Sequence, residues 1–537
     1  MAADQHRLIV KEFDCDYLII GSGFGGAVSA LRLAEKGYKV VVIEKGKWFT
    51  ANDFPKTNMN LKKWLWLPSL RFFGIFKLTF LRHIGVLSGV GVGGGSLGYA
   101  NTLPQPKATF YNSGSWANLK DWSEELAPYY EKAGKMLGVT KNPYLGDSDL
   151  AMQKLAENIG RASEFSATDV AVFYNSQAEP GTTVADPYFN GKGPDRAGCI
   201  NCGACMTGCR FNAKNTLDKN YLYLAQQHQC EIIAQHKVID VIPRNKNGSK
   251  GYKVKFSSST KLFAKQQALI TRGIIFAGGV LGTVKLLHQL KKGSLPQLSP
   301  QIGKDIRTNN ESLIGVPSLK KGVNFTNGIA IGSILRTDED SHLEPVRYGK
   351  GSAFWRFLML PMTHGSTFPG RVISLFASFF KAPWRHLRIM TMRDFSIKSP
   401  ILLFMQHLDS TLQFSLGWRG LKSELQEGPA PTADNPVAKK LAREYARIVD
   451  GEPYMPLNES LLGIPTTAHI LGGAVMGETI NEGVIDANNN VFNYKNMLVC
   501  DGSMISANPG VNPALTITAI TECAMAQIPA KTELNRL

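Results

Sequence analysis

No uninterrupted apolar stretch in these 537 residues reaches the length of a transmembrane helix, so a bilayer-spanning chain is not expected. The N-terminus lacks the pattern of a secretory signal; it is polar and runs straight into the first apolar segment. Both absences lead to the expectation of a cytoplasmic protein. Its eight cysteines would then be reduced thiols or cluster ligands rather than disulfides, unless the chain is exported by another route. Internal repeats and low-complexity tracts are missing as well. Charge is sparse, at 19%, while 44% of residues are hydrophobic and 52 are glycine. That balance suits an α/β protein with large cores and many tight turns, organised as two interleaved domains.

Acidic residues are scarce where bases gather. The 60 Lys and Arg against 43 Asp and Glu give +17. Residues 61–82 hold Lys62, Lys63, Arg71, Lys77 and Arg82 with six aromatics and no acid. Residues 370–393 are a second such stretch, with Arg371, Lys381, Arg385, Arg388 and Arg393 among Phe376, Phe379, Phe380 and Trp384. Bases interleaved with large apolar side chains suit an anionic membrane surface, so peripheral membrane contact is expected. The alternative is a pair of lids whose aromatics pack on the body. No nucleic-acid module is present, and no nucleic-acid partner is expected.

What is present is a nucleotide-binding grammar. Residues 16–20 read as a buried parallel strand, 25–36 as a helix and 39–43 as a second strand. Gly21, Ser22, Gly23, Phe24, Gly25 and Gly26 make the turn between the first two. The glycines let a pyrophosphate approach the helix N-terminus, where free N–H groups and the dipole favour anions. Glu44, eighteen residues after Gly26, is placed to accept from a ribose hydroxyl, which favours an unphosphorylated ribose as in FAD or NAD. A second glycine-rich loop spans 84–101. Residues 231–242, including Val238, read as a strand, and 273–277 as another ending in Gly278-Gly279. From about 312 to 464 the pattern turns to irregular strands rich in aromatics, an inserted α+β substrate domain. The nucleotide-binding domain is therefore expected over 1–311 and again over 465–537.

Near the C-terminus, Asp501-Gly502 ends a strand and could bond the second half of a dinucleotide. Asn512-Pro513 opens a helix, with Asn512 as N-cap and its N-terminus aimed at a ring that becomes negative on reduction. His469 precedes Gly472-Gly473. Together His469 and Asn512 could accept an alcohol proton and hold the hydroxyl while a hydride leaves carbon.

These ordered motifs resemble the glucose–methanol–choline (GMC) oxidoreductases, with the nearest likeness to the bacterial cholesterol oxidase branch. The resemblance spans almost the whole chain. It implies a Rossmann-like FAD-binding domain and oxidation of an alcohol, with the flavin accepting the hydride. It implies that His469 and Asn512 are the catalytic pair and that Gly21, Ser22, Gly23, Phe24, Gly25, Gly26, Glu44, Val238, Asp501, Gly502 and Asn512 contact the cofactor. Gly93, Gly94, Gly95 and Ser96 match the loop beside the flavin. Tyr99-Ala100-Asn101 departs from the sterol oxidases, where an earlier asparagine is expected, and leaves the contact to flavin N5 open. Glu344 lies in the stretch that holds their proton-moving glutamate. A bulky apolar, sterol-like alcohol is the implied substrate, and a lyase or decarboxylase is the non-redox alternative.

Cys199, Cys202, Cys205 and Cys209 have the C-x2-C-x2-C-x3-C spacing of ferredoxins. The fourth cysteine of such a run usually serves another cluster, and Arg210 stands where proline is usual. An iron–sulfur centre, a zinc site and a metal-free turn all remain open from spacing. Iron–sulfur would make the enzyme a dehydrogenase passing electrons to a carrier protein or quinone. Cys15, Cys230, Cys500 and Cys523 have no role beyond packing, although a remote thiol such as Cys230 could complete a cluster.

Overall fold

The computed structural model describes residues 12–534 other than 409 and 419. Strand β1 (Cys15–Ile20) is buried at all six positions, as expected of an apolar run covered on both faces. It pairs in parallel with β2 (Val40–Ile43) on one side and with Gln267–Phe276 on the other. Glu231–Ile233 extends the sheet beyond β2, and Met497–Val499 pairs in parallel with the end of Gln267–Phe276. Two antiparallel strands, Tyr252–Ser258 and His236–Pro243, branch from the start of Gln267–Phe276. Helix α1 (Phe24–Glu35) buries Val28, Leu31 and Leu33 against this sheet. The C-terminal helix Ala514–Ala526 is buried nearly all round and packs on α1 and on Trp122–Leu137.

The second body is a seven-stranded sheet in the order Met359–Pro361, Tyr454–Pro456, Ser312–Gly315, Ile401–Gln406, Ser341–Val346, Ser333–Arg336, Phe165–Ala167. All its pairings are antiparallel. The last strand comes from outside residues 312–464. The helix Asp147–Asn158 likewise buries Met152 and Leu155 with Leu441 and Tyr445 of Pro436–Val449. The architecture is a discontinuous Rossmann-like domain carrying an α+β domain.

Among the described residues no helix is long and apolar enough to cross a membrane. The two basic aromatic stretches fold differently. Residues 61–82 form the short helix Leu61–Trp64 and brief strands, with Trp64, Ile75 and Phe76 buried in their own small core. Residues 368–390 form two helices, Phe368–Lys381 and Pro383–Met390, whose large apolar side chains are mostly exposed.

Candidate active site

At the C-terminal end of β1 the chain turns sharply at Gly21, whose φ of +104° favours glycine. The N-cap of α1 is Gly23, with no side chain capping the helix, so its first N–H groups stay available. A Cβ on Gly23 or on Gly279 would meet no protein atom within 4 Å, so open space lies over both turns. The second glycine loop closes beneath. Gly94, at φ +54°, passes so near Gly23 that a Cβ would come within 2.7 Å of its Cα. The Gly93 N–H donates to Ser22 Oγ at 3.1 Å, and that hydroxyl donates to Glu44 at 2.8 Å. Ser96 Oγ donates to Gly93 O and accepts from Leu217 N–H. Gly93–Ser96 and the dinucleotide turn are thus one unit.

Two expected cofactor contacts are already engaged with protein. Glu44 accepts from the N–H and hydroxyl of Ser22 and from Gly46 N–H. Asp501 accepts from Gly279 N–H, Thr283 Oγ1 and Ser503. Burial raises the Asp501 carboxyl, opposed by those donors. Each acid shapes the turn that would receive the cofactor. Val238 sits on His236–Pro243 two residues past His236, whose N–H donates to Glu44 O.

Beside these turns a cavity of about 330 Å³ is lined by residues of both domains, among them Phe24, Gly95, Gly278, Gly279, Gly502 and Ala514. His469 and Asn512 stand in its wall. The segment leading to His469 is held by the strand Thr466–Thr467, which pairs in parallel with Gly85 and Val86. Asn512 Nδ2 is 3.5 Å from His469 Nε2. The expected N-cap role of Asn512 does not hold. Pro513 takes the cap position of Ala514–Ala526, no side chain caps that helix, and Asn512 Oδ1 is buried without a protein partner. That oxygen is therefore free for a ligand, while Nδ2 faces His469. Tyr99 and Ala100 edge the cavity, while the Asn101 amide is buried behind them.

The sequence missed the groups behind His469. Glu311 Oε1 lies 2.6 Å from His469 Nδ1, short but off the N–H direction, a charge contact more than a linear hydrogen bond. Burial works against the charged imidazole, yet Glu311, with help from Glu344, outweighs it and raises the His469 pKa. Glu344 is fully buried on Ser341–Val346; desolvation pushes it up to about 8, against His469 and Asn512, which favour its charge. Neither of its oxygens has a hydrogen-bond partner in the protein. His342 Nε2 is 3.8 Å from it, but burial lowers His342 to about 3, so that imidazole is neutral and no ion pair forms. No motif spacing marks Glu311 or His342; only the meeting of two distant strands brings them to His469.

The metal expectation is corrected. Among the described residues no three or more His, Cys, Asp or Glu side chains form a group that could hold a metal ion. Cys199, Cys202, Cys205 and Cys209 instead line a space of about 20 Å³ with Val172 and Ala213. Lys214 sets this arrangement: its buried ammonium donates to Leu97 O, Tyr99 O and Cys205 O, binding the cysteine loop to the second glycine loop. Burial raises the thiols of Cys199 and Cys202, whereas at Cys209 burial is outweighed by Lys219 and backbone N–H groups, which lower it.

Family models match three parts of the chain: an FAD binding domain over residues 16–52 and GMC oxidoreductase over 192–308 and 442–521. A cholesterol oxidase of Acinetobacter baumannii is 42% identical, covering 98% of this chain and 97% of its own. One of Mycobacterium tuberculosis is 40% identical, over 97% and 92%. A long-chain-alcohol oxidase of Arabidopsis thaliana is 23% identical, spanning 97% of this chain and 68% of the relative. Among solved structures, pyridoxine 4-oxidase from Mesorbium loti matches with a TM-score of 0.61 at 13% identity, covering 96% and 99%, which speaks for the fold alone. With the glycine cradle fitting a dinucleotide, this chain belongs to the GMC oxidoreductase family and is an FAD-dependent alcohol oxidase or dehydrogenase.

Proposed function

We propose that this enzyme oxidises the hydroxyl of a bulky, apolar, sterol-like alcohol. The observation that carries the reading is the cavity itself. His469 and Asn512 line it together with Leu313, Ile331, Val346, Trp355, Ile401 and Leu403. Such a wall excludes water and orients an apolar skeleton with its one hydroxyl at the polar end. The two relatives near 40% identity carry the name cholesterol oxidase, which supports the same substrate class.

The turns at Gly21–Gly26, Gly93–Ser96, Gly278-Gly279 and Gly502 would hold FAD, which when bound supplies the hydride acceptor. The Asn512 amide orients the hydroxyl, and His469 Nε2 takes its proton. The N-terminus of Ala514–Ala526 places its positive end at the same cavity wall and favours negative charge that develops there. A ring-proton transfer to a neighbouring carbon would start from Glu344 as the carboxylate, the form that His469 and Asn512 favour against desolvation, and the resulting carboxyl would return the proton. The exposed helices Phe368–Lys381 and Pro383–Met390 would give the enzyme a face toward lipid, where such a substrate resides.

His469→Ala is expected to slow anaerobic flavin reduction by a 3β-hydroxysterol about 10²–10⁴-fold while FAD stays bound. Unchanged kinetics would remove His469 from the chemistry. Flavin bands that a sterol fails to bleach, but a long-chain primary alcohol does, would move the substrate class.

A further inference from the structure

Glu311 lies between the dinucleotide-binding body and Ser312–Gly315, 2% exposed, and two donors and the His469 ring converge on its two oxygens. Thr467 Oγ1 donates to Oε1 at 2.6 Å, Ala468 N–H to Oε2 at 3.2 Å, and His469 Nδ1 stands 2.6 Å from Oε1. The backbone N–H of His469 donates to that same Thr467 hydroxyl at 2.8 Å. Residues 467–469 are thereby wrapped around one carboxylate, and the imidazole is held by its backbone and by its ring. The opposite ring nitrogen, Nε2, is the one near the Asn512 amide.

We propose that Glu311 is a positioning residue for His469: it keeps the proton on Nδ1, fixes the ring, and leaves Nε2 as the bare nitrogen that faces Asn512 and the cavity. Which imidazole nitrogen is free is set by what the other one bonds. The kinetic part of this inference rests on the alcohol-oxidation reading; the tautomer part does not.

The other titratable groups around the pair do not take over its task. Glu459 accepts from Leu313 N–H and Thr466 N–H, and burial pushes it up to about 8. Desolvation likewise raises Glu344, to about 8, and lowers His342, to about 3. Arg336 and Lys107 act on His342 rather than on His469. A carboxylate facing an imidazolium stabilises it, so His469 becomes a competent base only at a pH above that of an isolated histidine. Removing the charge leaves desolvation, which disfavours the imidazolium, opposed only by the smaller contribution of Glu344. The acidic limb of the rate profile must then move to lower pH.

The test uses holoenzyme labelled with ¹⁵N-histidine, the His469 signals being assigned with His469→Gln, together with pH profiles of anaerobic flavin reduction. Wild type is expected to show a protonated Nδ1 and a bare Nε2 above its titration. Glu311→Gln is expected to lose that single tautomer, to shift the acidic limb downward by about one unit or more, and to reduce flavin about 10²-fold or more slowly, with the FAD absorbance retained. Glu311→Asp, which keeps the charge, is expected to restore the limb and part of the rate. A Glu311→Gln enzyme with wild-type nitrogen shifts and an unmoved limb overturns the proposal, whatever its rate. If Glu311→Gln fails to fold around FAD, Glu311→Asp decides: a limb displaced from wild type overturns it and an unmoved limb supports it. A wild-type enzyme that no alcohol reduces, yet with the Nδ1–H tautomer intact, sinks the function and leaves the pair standing.

Discussion

Residues 61–82 and 368–390 share a composition and part company in the fold. Both mix Lys and Arg with large aromatics, yet the first buries Trp64, Trp66 and Phe76 while the second leaves most of its large apolar side chains exposed. Trp64 has no exposed surface and meets Phe76 edge-on at 5.6 Å and Trp355 at 6.0 Å. Its indole N–H donates to Met206 O. In Phe368–Lys381 no residue is buried, and Ile373, Phe376 and Phe380, spaced i, i+3 and i+7, all face solvent. Trp384, 76% exposed, and Leu387 extend the patch. An exposed apolar cluster of this size marks an interaction surface, whereas single exposed rings such as Phe80 are ordinary. Composition alone assigned both stretches the same contact, and their periods separate them.

The largest expected effect breaks the comparison at its buried side. Trp64→Ala should cost about 3–5 kcal/mol, because the lost ring leaves a cavity among Phe49, Phe54, Ile75 and Phe76. Trp384→Ala should stay within about 0.5 kcal/mol, having no packing to lose. Guanidinium unfolding of the two holoenzymes reads both. Equal costs would mean that the two tryptophans share one environment.

Much of the dinucleotide site was legible because its chemistry is local. Gly21 to Gly26 and Glu44 fall within one βαβ unit, so spacing alone places them around one turn. His469 and Asn512 were legible through their flanking residues, although the cap reading of Asn512 failed: Pro513 takes the cap position and the amide goes to the cavity. Glu311 was not legible, since it meets His469 only across the junction of two domains. The cysteine run misled for a related reason. Its spacing matches a cluster motif, but Lys214 and the Leu97 and Tyr99 carbonyls, over a hundred residues away, set where that loop goes.

A smaller effect sharpens the exposed side. Replacing Phe380 and Trp384 together by serine should leave unfolding unchanged and weaken binding to phosphatidylserine-containing vesicles about 10–100-fold, on the order of two partly buried aromatic side chains. Undiminished binding would place the membrane contact elsewhere or nowhere.

The smallest effect concerns charge, and it distinguishes bases within one patch. Lys381→Gln or Arg388→Gln should weaken vesicle binding by roughly 1 kcal/mol each, about fivefold, at low salt. The loss should fade as added salt shortens the Debye length towards about 3 Å at 1 M. Arg385 should behave differently. Its guanidinium already pairs with Asp450 at 2.9 Å and Glu452 at 2.7 Å, so a lipid headgroup would have to compete with two fixed carboxylates. Arg385→Gln is therefore expected to change vesicle affinity less than either neighbour does and instead to loosen the helix Pro383–Met390 from the body. That loosening is readable as faster amide exchange over 383–390. If Arg385→Gln weakened binding as much as Arg388→Gln, both guanidiniums would be facing lipid. The patch would then act as a diffuse basic surface, and the division between anchoring and lipid-facing bases would fall.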